Sequence, residues 1–196
     1  MRTHCSSASI WPSSRSITGL RPKPVIPAPL DDGLTVWDAL DSTSLPFDTT
    51  RRAVAGDSAG GTLAAALCVA LRGRAETSPA SPMAQVLIYP VLTADCAFAS
   101  IREHADAPML TARGLADSIA LYAPDEHARR TPRAMPLECA RFDGLAPALV
   151  VVAMQACCAI SASNMQSGST MRAARRTYGA RTAWCTARCA QRRLPK

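Results

Sequence analysis

Between Ala59 and Arg72, Leu63, Ala66, Leu67, Ala70 and Leu71 recur three or four positions apart, which predicts one buried face of a helix. A second such pattern opens at Pro27-Ala28-Pro29-Leu30-Asp31-Asp32 and continues through Leu34, Val36, Trp37 and Leu40. Proline at the entry and acids in the first turn are a helix start, because the acids complement the positive end of the helix dipole. Three shorter runs lack helical spacing. Residues 52–56 end on Gly56, residues 84–89 stop at Pro90, and residues 148–152 follow a loop with Gly144 and Pro147. Each predicts a buried strand. Thr111 is placed to cap a further helix running to about Tyr122. Strands that alternate with helices predict an α/β fold, a parallel sheet with flanking helices.

The ends break the pattern. Residues 1–26 are rich in Ser, Pro and Arg, and residues 153–196 in Ala, Arg, Ser, Thr and Cys, with no periodicity in either. Three regions follow: an irregular basic segment at 1–26, a core at 27–152 and an irregular basic tail at 153–196. The net charge of +7 hides the same division. All fifteen acids lie within residues 31–143, where they outnumber ten basic residues, so the centre is acidic and both ends are basic. The chain of 196 residues is long enough for one domain with a real core. It has no uncharged apolar run long enough to span a membrane. Ser-rich sequence, not an apolar signal core, follows Met1, Arg2 and His4, so a cytoplasmic protein is expected. The eight cysteines have no zinc-type spacing: Cys157-Cys158 is adjacent and Cys185-x3-Cys189 stands alone. They are expected to be buried or incidental thiols, with no metal site.

The chemistry is concentrated at Gly56-Asp57-Ser58-Ala59-Gly60, which fits G-x-S-x-G, with Gly61 next. The pattern lies between a predicted strand and a predicted helix. A serine there sits on a tight, strained turn, and small flanking residues let the turn close. Its hydroxyl projects above the carboxyl edge of the sheet. Ser58 is therefore the candidate nucleophile, and the backbone N–H of Ala59 the candidate oxyanion donor, helped by the helix dipole.

The motif set resembles the hormone-sensitive-lipase-like esterases of the α/β-hydrolase superfamily. Residues 56–61 are similar to that family's GDSAGG elbow, residues 28–33 to the helix start before it, and AQVLIYPV at 84–91 to the next strand. Residues 102–111, 132–137 and 144–152 fit as well. The resemblance implies a serine nucleophile with a histidine base, an aspartate that orients it, and an oxyanion hole. It implies small-molecule esters of short or medium acyl chains as substrates, and neither a metal nor an organic cofactor. A serine peptidase or thioesterase built on the same elbow is a neighbouring reading. An alternative of another class is a non-catalytic binding protein whose basic arms contact nucleic acid or anionic membrane. The arms lack aromatic interleaving and any nucleic-acid motif, so no nucleic-acid partner is expected.

The chain departs from the family in three places. No His-Gly-Gly-Gly stretch lies upstream of Ser58, no acid follows Asp143, and the last histidine is His127, beside Asp125 and Glu126. His104 matches a family position outside the triad. Without a base a serine is a weak nucleophile, so close to background activity is expected. A shift of one nucleotide in reading frame is one hypothesis that would account for both ends. Across residues 10–27 it permits a strand followed by Y-R-L-A-P-E, across 157–160 L-R-D, and across 182–187 G-M-V-H-G. Some triplets are forced: Trp11-Pro12 gives alanine, Trp184-Cys185 valine and Cys157-Cys158 leucine. The expectation is that the gene's nucleotide sequence carries these motifs in an alternative frame; a frame without them would dismiss it.

Overall fold

The computed structural model describes residues 26–42, 51–72, 74, 81–108, 110–153 and 171–176. The two irregular ends lie almost wholly outside these residues. Four α-helices lie among the described residues: α1 (Ala28–Ala39), α2 (Ala59–Arg72), α3 (Ala99–Glu103) and α4 (Ala112–Tyr122). The described strands are β1 (Ala53–Asp57), β2 (Ala84–Ile88), β3 (Ala148–Ala153) and β4 (Met171–Arg176). They form one parallel sheet in the order β1-β2-β3-β4. Three strands and the helices α1, α2 and α4 stand where the apolar pattern places them. The strand β4 lies in a stretch read as irregular, because MRAARR offers no apolar run or alternation.

Parallel pairing needs a crossover between successive strands, and α2 is the crossover from β1 to β2. Crossovers share one hand, so strands that add in one direction keep their connections on one face. The burial pattern shows this for α2, with α1 beside it. Val54, Gln85, Leu87, Ala148 and Val150 are buried beneath Leu67 and Leu71 of α2 and Leu30 and Trp37 of α1. On the opposite face Ala53, Ala55 and Asp57 of β1 are exposed, and Val86, Ile88, Leu149 and Val151 are half-buried. A smaller cluster of Ile101, Leu115, Ile119, Ala134 and Met135 joins α3 and α4 to the segment that follows β2.

A buried cation ties α1 to the start of β1. Arg52 donates to the carbonyl of Trp37 (2.9 Å), pairs with Asp41, and lies 5.1 Å over the Trp37 ring. Desolvation lowers its pKa, partly opposed by Asp38. The pairing holds the chain next to the start of β1, five residues before the serine.

Candidate active site

Ser58 is the single residue between the end of β1 and the start of α2. Its φ is 51°, in the left-handed region that a residue with a Cβ rarely enters. The turn closes only because its neighbours are glycines. A Cβ at Gly56 would lie 2.2 Å from the Gly60 carbonyl oxygen, a backbone clash that no side-chain movement relieves. One at Gly61 would stand 3.1 Å from both the Gly56 oxygen and the Pro90 Cβ. The sharp turn predicted from G-x-S-x-G is thus present, with the need for glycine at 56, and at 61 just beyond the pattern, traced to specific atoms.

The turn is held from both sides. The Ser58 N–H donates to the Ile88 carbonyl (2.8 Å), which continues the β1–β2 ladder by one residue. The Ser58 carbonyl accepts from the Thr62 N–H (3.1 Å) and so starts the hydrogen-bond ladder of α2. Ser58 itself is half-buried, and Ala59, the first residue of α2, is exposed. By position the Ala59 N–H precedes the first intrahelical bond, so it is one of the free donors of a helix N-terminus. Tyr89 occupies the same place after β2 that Ser58 occupies after β1. It too has positive φ, 37°, and its N–H donates to the Val151 carbonyl (2.6 Å). Among the described residues these are the non-glycine positions with positive φ, and they lie side by side at the carboxyl edge of the sheet. Sequence reasoning missed Tyr89, since nothing in LIYP marks a left-handed residue.

No side chain among the described residues is hydrogen-bonded to Ser58 Oγ. His104 ends α3, donates its N–H to the Ser100 carbonyl (3.0 Å), and lines a hollow of about 350 Å³ formed by residues 102–108. His127 is exposed and donates its N–H to Asp125 Oδ1 (3.1 Å), in the solvated turn read from Asp125-Glu126. The structure thus brings Ser58 and Ala59 together and leaves both histidines in surroundings of their own. Among the described residues no three His, Cys, Asp or Glu side chains gather as a metal site would require. No described helix is long and apolar enough to cross a membrane.

A family model described as alpha/beta hydrolase fold matches residues 19–177. The chain is 36% identical over 136 residues to an ethyl acetate hydrolase of Pseudomonas putida, covering 68% of this chain and 42% of that protein. It is 36% identical over 137 residues to esterase LipI of Mycobacterium tuberculosis, with the same two shares. The crystal structure of carboxyl esterase 2 from the fungus Tuber melanosporum superposes with a TM-score of 0.72 at 26% identity, covering 80% of this chain and 54% of that one. The chain therefore spans less than half the length of the curated relatives it matches.

Proposed function

The chain belongs to the α/β-hydrolase fold family, and from that premise we propose that it is built for carboxylic ester hydrolysis, with Ser58 as nucleophile. The observation that carries this reading is the left-handed serine held between β1 and the N-terminus of α2. That geometry costs about 1–3 kcal/mol, and the half-buried Ser58 is not part of the hydrophobic core. It presents a hydroxyl at the sheet edge, beside the free N–H donors that begin a helix. The relatives named above as ethyl acetate hydrolase and esterase point to small esters as the substrate class.

In the proposed reaction the Ser58 oxygen bonds to the ester carbonyl carbon. The carbonyl oxygen takes up negative charge against the Ala59 N–H and the dipole of α2. The bond to the alcohol then breaks, and the alcohol leaves with the proton that Ser58 gave up. Water attacks the acyl-serine, releases the acid and restores the hydroxyl. Neither His104 nor His127 is bonded to Ser58. The loss of a triad histidine costs about 10⁶ in turnover in a serine hydrolase, so this chain is expected to turn over esters only slightly above background. Hydrolysis of p-nitrophenyl acetate and butyrate by the wild type and Ser58→Ala tests this. A small excess that disappears in Ser58→Ala is expected. Equal rates would remove Ser58 from the mechanism, and vigorous Ser58-dependent turnover would show that a base acts on it.

A further inference from the structure

The glycines let the Ser58 turn close, but a second device holds it closed. Thr62, in the first turn of α2, is buried. Its hydroxyl donates to the Val91 carbonyl (2.6 Å) and accepts from the Val91 N–H (3.2 Å). One side chain thus satisfies both backbone groups of a residue that lies beyond the end of β2 and outside the sheet ladder. The Thr62 N–H meanwhile holds the Ser58 carbonyl, and the Ser58 N–H holds the Ile88 carbonyl. These bonds close a loop: Ser58 to Ile88, along the chain through Tyr89 and Pro90 to Val91, across to Thr62, and back to Ser58. Both left-handed residues lie on this loop. Pro90, itself on the loop, packs against Gly61.

A strained backbone persists only where its surroundings over-determine it. The ladder bond at Ile88 fixes one end of the junction, and the Thr62 hydroxyl is the side-chain contact that fixes the other. We propose that Thr62 is a positioning residue: through Val91 it locks the turn after β2 against the nucleophile turn and so holds Ser58 in its reactive orientation. The inference rests on the reading of Ser58 as nucleophile. It adds a residue that touches no substrate and that the G-x-S-x-G pattern leaves unspecified.

The test compares wild type, Thr62→Val, which keeps the shape and loses the hydroxyl, and Thr62→Ser, which restores it. Leu71→Val, at the far end of α2, serves as a variant destabilised away from the turn. Two quantities are read in the folded proteins: the rate at which Ser58 is labelled by a p-nitrophenyl alkylphosphonate, by mass spectrometry, and hydrogen exchange at the Ser58, Tyr89 and Val91 amides. Thr62→Val is expected to label at least tenfold more slowly and to lose protection at those amides selectively, while Thr62→Ser stays within about twofold of wild type. Leu71→Val is expected to lose stability and keep its labelling rate. Labelling of Thr62→Val at the wild-type rate, or exchange accelerated no more at these amides than elsewhere, overturns the proposal. A wild type in which Ser58 takes no label overturns the nucleophile reading instead, and the exchange pattern then decides whether Thr62 holds the turn.

Discussion

Ser58 trades stability for geometry, and the trade can be measured. Glycine has no Cβ and enters the left-handed region freely, so Ser58→Gly relieves strain while adding some flexibility to the unfolded chain. The expected net effect is a gain of about 0.5–1 kcal/mol in urea unfolding, with all Ser58-dependent ester chemistry lost. Two positions away the sign reverses. Gly56→Ala places a methyl 2.2 Å from the Gly60 oxygen. It should destabilise by about 3 kcal/mol, at the upper end of overpacking in a core, and the same unfolding measurement checks it. The thiols divide by burial. Cys68, inside α2, is pushed up to about 12 by desolvation, whereas Cys96 is exposed and its thiol is raised less, by partial burial and then by Asp95. Iodoacetamide at pH 8 is therefore expected to modify Cys96 well ahead of Cys68 in the folded protein, as peptide mapping would read.

At the scale of elements, most of the framework can be read from periodicity alone. The helix α2 begins and ends at the residues its apolar spacing marks, and Thr111 caps α4 by accepting from the Gly114 N–H at 3.0 Å. Thr111→Ala is expected to lower stability by about 1 kcal/mol, seen as a shift in the thermal midpoint. What periodicity cannot show is any feature made by contact between distant segments. Tyr89 has positive φ where its N–H meets Val151, and Thr62 is significant because of Val91, twenty-nine residues away. Neither contact leaves a local pattern. The five-residue α3 is too short for a period, and β4 carries arginines where a strand signal needs apolar residues. Arg52 was visible only as the basic start of an apolar run. Its bonds to Trp37 and Asp41 make Arg52→Met a test of how α1 is anchored. Because the Asp41 side chain remains 37% exposed and can regain water, the loss is expected at about 2–3 kcal/mol, below that for a fully buried pair.

The whole molecule has an alkaline limit set by burial. Cys68 and Tyr122 are both raised to about 12 by desolvation, from 9.0 and 10.0. A folded-state pKa above the unfolded one means the native state holds its proton more tightly. Stability from both groups is therefore complete below pH 9 and is lost progressively as pH rises toward 12. Urea midpoints measured at pH 8 and pH 10.5 should fall between the two, and Cys68→Ala should flatten the fall. The same scale gives the sheet order its meaning. Strands lie in space in the order in which they occur in the chain, so each new strand has its partner already in place. A ribosome delivers residues in that order too. Among the described residues the strand–helix–strand unit that emerges first is β1-α2-β2, which with the residues just after it contains Ser58, Thr62, Tyr89 and Val91. The bend proposed to carry the nucleophile can thus form as a nascent seed, with β3 and β4 added to it one at a time.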